Sequence, residues 1–163
     1  MAKKHRTGST PATTALVAAG IPFTPHSYHH DPRAESYGLE AATELGVEPE
    51  RVYKTLMVDV DGELVVAVVP VSGQLDLKAI ARAAGGSRAA MADRIRAQRA
   101  TGYVLGGISP IGHKHRHRTF IDDSVGAWST VLVSGGRRGL DIEVTPADLQ
   151  RSTDAILAPL RRS

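Results

Sequence analysis

Apolar positions are densest in the middle of the chain, where they predict a β-hairpin. Val52–Val60 and Leu64–Val71 are almost continuously apolar, and the dipeptide Asp61-Gly62 between them favours a tight turn. Runs without regular polar alternation are typical of strands that are buried on both faces. The pattern therefore predicts a hairpin in a sheet that is covered on both sides.

Shorter strands and helices surround this hairpin without a regular strand–helix–strand repeat. Apolar or β-branched runs predict strands at Phe23–His29, Thr119–Asp122, Thr130–Val133 and Leu140–Val144. Helical spacing with capping residues predicts helices at Pro11–Ala19, at Tyr37–Leu45, at Asp76–Ala84, from Asp93 through Arg99, and after Thr145. This order favours an α+β domain with a mixed sheet over a doubly wound parallel sheet.

Length and composition indicate one globular domain. The chain has 163 residues, 42% of them hydrophobic, and no cysteine, which excludes disulfides, thiolate metal sites and a thiol nucleophile. No apolar run approaches the roughly 18 residues that cross a bilayer. We expect a cytoplasmic protein with a flexible arm at residues 1–10 and a single domain at residues 11–163.

A glycine-rich segment, Thr101–Pro110, is the strongest candidate for a binding loop. Its adjacent glycines, Gly106 and Gly107, let the backbone approach a ligand closely, and Pro110 stiffens the exit. Such a loop can present N–H groups to an anionic or carbonyl oxygen. Lys54, at the head of an apolar run, is the charge that would accompany it. An ordinary turn is the alternative.

Basic residues favour a polyanionic partner. The net charge is +3, and positive residues cluster at 113–118, at Arg137-Arg138 and at both termini. A solubilising surface explains the same clusters equally well. Within the first cluster, His113, His115 and His117 alternate, as metal ligands on a strand would. The lysine and arginines between them disfavour a dication, so we expect neither a metal nor a cofactor.

Common catalytic loops are absent from the sequence. Gly106-Gly107 fits neither the dinucleotide-binding nor the P-loop pattern. No serine has the Gly-x-Ser-x-Gly flanks of a hydrolase elbow. Ser109 and Ser134 are therefore expected to donate hydrogen bonds rather than to attack a substrate.

Several motifs together resemble the YbaK/EbsC family. They occur in the family's order and spacing from about Pro11 to the final helix, and they are Val52–Leu56, Pro70–Lys78, Met91–Asp93, Thr101–Pro110, Val133–Glu143 and the early turn His26–Pro32. The resemblance implies a curled, barrel-like mixed β-sheet flanked by helices, as in the editing domain inserted in bacterial prolyl-tRNA synthetases. It also implies a free-standing deacylase that removes cysteine from Cys-tRNA(Pro), and also from Cys-tRNA(Cys), with prolyl-tRNA synthetase as a candidate partner.

The resemblance also assigns roles to individual residues. It implies a catalytic set formed by Lys54, Tyr28, Gly106, Gly107 and Ile108. Substrate-binding positions are implied at Thr55, Ser109, Pro110, Ser134 and Asp141. From the basic clusters we add tRNA-contacting candidates, which are Lys114, Arg116, Arg118 and Arg137.

The family resemblance implies, and the absence of an evident enzyme nucleophile permits, a reaction in which the substrate's own thiol attacks the ester. In that case the protein supplies orientation and main-chain donors, which can lower a barrier by several kcal/mol. Two other readings remain open. One is an Ala-tRNA(Pro) deacylase that uses water, and the other is a non-catalytic module that binds tRNA or a synthetase.

Overall fold

The computed structural model describes residues 9–34 and 36–162. Its helices are α1 (Pro11–Ala19), α2 (Tyr37–Leu45), α3 (Leu77–Ala83), α4 (Arg94–Thr101) and α5 (Pro146–Thr153). Its strands are β1 (Thr24–Ser27), β2 (Tyr53–Val60), β3 (Glu63–Pro70), β4 (Ala89–Met91), β5 (Thr119–Asp122), β6 (Val131–Arg137), β7 (Leu140–Val144) and β8 (Ile156–Ala158). Single 3-10 turns lie at Pro49–Arg51 and Asp123–Ala127.

Helices α1 and α2 begin and end where their capping residues predict, whereas α4 continues past the predicted Arg99 to Thr101. At the start of each described helix, the side-chain oxygen of the capping residue accepts a backbone N–H from the first turn. The capping residues are Thr10, Ser36, Asp76, Asp93 and Thr145. Gly20 and Gly46 end α1 and α2 in the left-handed conformation. The first eight residues of the predicted arm lie outside the described residues. Thr10, also within that arm, is buried, and its hydroxyl donates to the Gly135 carbonyl at 2.5 Å.

The strands form two sheets rather than one closed sheet. In the described part of the chain, a five-stranded sheet has the order β4-β2-β3-β5-β8, and a three-stranded sheet has the order β1-β7-β6. Both keep open edges, so the barrel-like closure that we expected is not confirmed. The physical reason is that β6 and β2 do not form a ladder, because the two sheets are joined there by the isolated parallel bridge Val52–Leu132.

The central strand β3 is covered on both faces, as its apolar pattern predicts. Val66 and Val68 pack into one core, which α1, α5 and the three-stranded sheet complete. Val65, Ala67 and Val69 point to the other face, into a second core that contains residues of α3. A strand with two apolar faces therefore separates two hydrophobic cores.

Two strands were not predicted, and a third is longer than predicted. β4 and β8 have three residues each and occupy the two edges of the larger sheet. β8 pairs in parallel with β5, so no tight turn in the sequence indicates this pairing. β6 continues through Ser134 to Arg137, with an irregular register in that segment, where the glycines predict a loop.

Candidate active site

A cavity of about 310 Å³ opens where the two sheets meet. Strand β2 forms one wall, β6 and β7 form another, and the start of α2 and the glycine loop complete it. The predicted site residues that line it are Tyr28, Lys54, Thr55, Gly106, Ile108, Ser134 and Asp141. The fold thus gathers residues from five separate segments around one small space.

Lys54 is the basic group of this cavity among the described residues. It lies opposite Val69 in the β2–β3 hairpin and is partly buried. Lys54 and Ser134 each follow the parallel bridge Val52–Leu132 by two residues, and both line the cavity where the two sheets meet. No described carboxylate pairs with the ammonium group, and burial lowers the pKa of Lys54.

Asp141 is the acidic counterpart, and it too has no partner. It lies on β7 opposite Ser134 on one side and His26 on the other. The residue is only 5% exposed, and no described group donates a hydrogen bond to its carboxyl. Burial raises the pKa of Asp141 to about 7. A buried carboxyl without a donor is costly unless a ligand supplies one.

Two hydroxyl groups add further hydrogen-bonding capacity. The hydroxyl of Thr55 is buried and has no partner among the described residues. Burial, followed by the nearby charge of Asp141, raises the pKa of Tyr28 to about 12, so its hydroxyl stays protonated at neutral pH. Tyr28 is fixed just beyond β1, where its N–H donates to the Gly139 carbonyl at 2.9 Å.

The glycine loop presents two backbone donors rather than three. The N–H of Gly107 donates to the Val104 carbonyl at 2.9 Å and closes a turn, so it is not available to a substrate. No acceptor among the described residues bonds to the N–H groups of Gly106 and Ile108, and both residues line the cavity. These are the amides that can meet a carbonyl oxygen.

Both glycines are required by close packing. Gly106 has a φ of 86°, and a Cβ there would lie 2.7 Å from the ring of Tyr37. A Cβ on Gly107 would lie 2.9 Å from the Cα of Arg137, on the backbone of β6. The double glycine therefore brings the loop against the three-stranded sheet.

Ser109 and Pro110 are placed behind the loop and not in the cavity. Ser109 is fully buried, its hydroxyl accepts the N–H of Ile111 at 3.2 Å, and its carbonyl is bonded to His113. Neither residue is among those that line the cavity, and the hydrogen bonds of Ser109 support the loop. The hydroxyl of Ser134 faces the cavity and accepts the N–H of Gly136 at 3.1 Å.

Sequence reasoning missed the aromatic side of the cavity. Tyr37, at the start of α2, lines it, and the guanidinium of Arg138 lies 4.7 Å from the ring centroid of Tyr37. Arg138 also donates from Nε to the Leu105 carbonyl at 3.0 Å, which ties the glycine loop to β6. In the sequence, the glycine directly after Tyr37 is a signal of close packing at the start of this helix. The structure shows that packing, because a Cβ on Gly38 would collide with Val71.

The four predicted tRNA contacts lie outside the cavity. Lys114 and Arg116 are exposed, and Arg116 pairs with Asp154 at 3.2 Å. Arg118 is held by both carboxylate oxygens of Glu63, at 2.9 and 2.8 Å. Arg137 is exposed beside the glycine loop. The histidines between these residues lie in a loop and not on a strand, and the described residues hold no cluster of three metal-ligating side chains.

A partly buried ammonium, a buried carboxyl and two amides without an acceptor around a small cavity suit the acylated end of a nucleotide. A model of the aminoacyl-tRNA editing domain matches residues 31–152 of this chain. The chain therefore belongs to the aminoacyl-tRNA editing family, in its YbaK/EbsC branch, and is an aminoacyl-tRNA deacylase.

Particular relatives support this assignment. The Enterococcus faecalis protein EbsC, provisionally named a Cys-tRNA(Pro)/Cys-tRNA(Cys) deacylase, is 33% identical over 98% of both chains. A crystal structure of a provisionally named trans-editing enzyme for prolyl-tRNA synthetase has a TM-score of 0.84 at 24% identity, over 95% of this chain and 99% of that one. A hypothetical protein, APE2540, also has a TM-score of 0.84 at 24% identity, over 94% of this chain and all of that one. The two structures show the shared fold. No described helix is long and apolar enough to span a membrane.

Proposed function

We propose that this enzyme removes cysteine from Cys-tRNA(Pro), and also from Cys-tRNA(Cys), by using the thiol of the substrate. The observation that carries the proposal is a pair of ionisable groups in one small cavity, the ammonium of Lys54 and the carboxyl of Asp141, neither of which has a partner among the described residues. An aminoacyl ester offers an α-ammonium group, an ester carbonyl and ribose and phosphate oxygens. Each of these groups has a complementary partner in the cavity. The name of the Enterococcus faecalis relative supports cysteine as the amino acid.

Asp141 is assigned to the α-ammonium group of the aminoacyl end. Its carboxyl is buried without a hydrogen-bond donor, and binding an ammonium group would supply both the donor and the opposite charge. Binding would therefore favour the ionised carboxylate and lower the pKa of Asp141 from about 7. Tyr28 lies near enough to feel the charge of Asp141 and can donate its hydroxyl to the same end of the substrate.

Lys54 and the two open amides are assigned to the oxygen atoms. The N–H groups of Gly106 and Ile108 would bond to the carbonyl oxygen as negative charge develops on it, and one such donor is worth about 3 kcal/mol. Lys54 would hold a ribose or phosphate oxygen of the terminal adenosine, or the carbonyl itself. Thr55 has a free hydroxyl for the same ribose.

The reaction needs no attacking side chain from the enzyme. The sulfur of the bound cysteine attacks its own carbonyl carbon, a C–S bond forms, and the C–O bond to the ribose breaks. The thiol proton passes to the departing ribose oxygen, so the products are a cyclic thiolactone and deacylated tRNA. No histidine is among the described residues that line the cavity, so no Ser–His pair is available there to generate an alkoxide.

The decisive experiment offers Cys-tRNA(Pro), Cys-tRNA(Cys) and Ala-tRNA(Pro) to the full-length enzyme and identifies the product by mass spectrometry. We expect both cysteinyl substrates to react and to give the thiolactone, trapped before it hydrolyses. Alanine has no thiol to cyclise, so Ala-tRNA(Pro) should remain intact. Equal turnover of the alanyl ester would instead indicate attack by water. Salt-sensitive tRNA binding with no ester cleavage would indicate a binding module.

The surface arginines and lysine are assigned to the tRNA body, with prolyl-tRNA synthetase as the candidate partner. Lys114 and Arg137 are exposed beside the glycine loop segment, where they can meet phosphates. Replacing Lys114 with Gln should raise KM and flatten the dependence of binding on salt, with kcat unchanged. Adding prolyl-tRNA synthetase should lower KM for Cys-tRNA(Pro) if the two proteins form a complex, and an unchanged KM would count against the complex.

A further inference from the structure

Two histidines, His113 and His117, lie outside the cavity. His113 is hydrogen-bonded to the glycine loop and His117 to His113. Nε2 of His113 lies 2.6 Å from the carbonyl oxygen of Ser109, and Nδ1 of His113 lies 3.1 Å from Nδ1 of His117. Because a carbonyl oxygen only accepts hydrogen bonds, Nε2 of His113 must carry the proton. In the neutral ring Nδ1 is then the acceptor, and His117 donates to it.

The side chain of Tyr103 fixes the exit of the loop at a second point. The ring of Tyr103 packs edge-on against His113, with ring centroids 6.0 Å apart, and its hydroxyl donates to the Ile111 carbonyl at 2.6 Å. Ser109 and Ile111 are both buried. The backbone on the two sides of Pro110 is therefore held by two aromatic side chains, directly after the amide of Ile108.

We propose that His113 is a positioning residue of the deacylase, because its Nε2–H bond to Ser109 sets the direction of the Ile108 amide at the cavity. The inference rests on the proposed role of that amide as a donor to the ester carbonyl. His113 does not touch the substrate; it acts through the backbone that connects Ser109 to Ile108. A displacement of a few tenths of an ångström there weakens a donor whose value depends on alignment.

The surroundings keep both rings neutral. Burial, together with the neighbouring His117, lowers the pKa of His113 to about 4. Burial, His115 and Arg96 lower the pKa of His117. The other charged side chains around the adjoining surface depression are Lys114, Arg116, Arg151 and Asp154, and Asp154 is engaged by Arg116. The tautomer that grips Ser109 is therefore the stable form at neutral pH.

The test compares two replacements of His113. His113→Gln keeps an N–H donor within reach of the Ser109 carbonyl, whereas His113→Leu keeps only the bulk. We expect His113→Leu to lower kcat for Cys-tRNA(Pro) roughly tenfold with KM nearly unchanged, as for a misaligned oxyanion donor. His113→Gln should restore kcat to within about threefold of the wild type. The exposed His115→Gln is the matched control and should keep the wild-type kcat.

The two variants also differ from the wild type in their pH profiles. Protonation of His113, whose pKa is about 4, leaves its Nε2–H bond to Ser109 but turns Nδ1 into a donor that faces the Nδ1–H donor of His117 and displaces the ring. Glutamine does not titrate. The ratio of His113→Gln activity to wild-type activity should therefore rise as the pH falls from about 7 to about 4.5. A wild-type kcat in folded His113→Leu, or an equal loss in the Gln and Leu variants, would overturn the proposal.

A measurement on the unmodified protein covers the case in which His113→Leu does not fold. Long-range ¹H–¹⁵N spectra at about pH 7.5 should show His113 as the Nε2–H tautomer, without titration near the ordinary histidine pKa of about 6.5. An Nδ1–H tautomer would overturn the bond to Ser109. If the wild type does not deacylate Cys-tRNA(Pro), the proposed function fails, and the spectra still decide whether the histidine grips the loop.

Discussion

Replacing Asp141 with Asn tests whether the cavity is preset for a cationic group. In the fold, burial holds the pKa of this carboxyl at about 7, whereas the ordinary value is 3.8. Ionising it in the native protein therefore costs about 4 kcal/mol more than in the unfolded chain. The penalty is absent below pH 3.8, where both states are protonated, and it grows as the pH rises through about 7. The contribution of Asp141 to wild-type stability should accordingly fall over this window.

The asparagine side chain has nearly the same shape but cannot ionise. Asp141→Asn should therefore remove the part of the pH dependence of stability that Asp141 causes. The new amide is also unpartnered, which costs roughly 1–3 kcal/mol at every pH. We therefore expect the variant to be less stable than the wild type near about pH 4 and more stable near about pH 8. The difference between the two proteins should change by about 4 kcal/mol across that range. The assay is urea unfolding at fixed ionic strength, in steps of half a pH unit.

Asp122→Asn is the matched control. Asp122 is equally buried, but its carboxylate accepts the N–H of Leu160 at 2.8 Å and pairs with Arg161 at 3.3 Å. Removing its charge should destabilise the protein near about pH 8 by roughly 1–3 kcal/mol, which is the opposite sign. Parallel stability curves for the wild type and Asp141→Asn would refute the reasoning, because they would mean that the carboxyl is solvated or paired in the fold.

Three further variants test the other walls of the cavity. Lys54→Met should lower kcat/KM for Cys-tRNA(Pro) at least about 100-fold and should raise the melting temperature, because it removes a partly buried charge that has no partner; unchanged turnover would remove Lys54 from the mechanism. Thr55→Val should leave the urea midpoint equal or higher, since the hydroxyl is unpartnered, while raising KM if that hydroxyl binds the ribose; a clear loss of stability would contradict the first half. Gly107→Val should abolish turnover and reduce stability, because its Cβ would press on the Arg137 backbone at 2.9 Å, and tRNA binding measured by filter retention should persist.

Most of the fold could be predicted because its signals are local. Helices α1 and α2 have a capping residue at one end and a left-handed glycine at the other, and the structure confirms their predicted bounds. The β2–β3 hairpin follows from its turn and its apolar runs. Strand β8 could not be predicted from the sequence because its pairing with β5 is parallel and depends on the packing of the whole sheet. The open edges of the two sheets could not be predicted either, because closure of a sheet is a property of the assembled strands.

The site was only partly predictable from the sequence, for a related reason. Lys54 and the glycine loop stand out as an isolated charge and a double glycine, but nothing in their spacing shows that Asp141 completes the cavity; that placement came from the family resemblance. The contact between Tyr37 and Arg138 joins residues far apart in the chain and has no periodicity. The sequence also does not show which N–H groups of the glycine loop are already hydrogen-bonded. In the structure the N–H of Gly107 is bonded, whereas those of Gly106 and Ile108 have no acceptor among the described residues.

The seam between the two sheets gives the core an influence on turnover. Lys54 belongs to one sheet and Asp141 to the other, and near them the sheets meet through the bridge between Val52 and Leu132, both of which are buried. A cavity-forming change such as Leu132→Ala would let the sheets slide by fractions of an ångström, and the distance between ammonium and carboxyl would change with them. A substitution that repacks the interior along this line therefore alters the catalytic geometry as well as the stability, although none of its side chains has to touch the substrate.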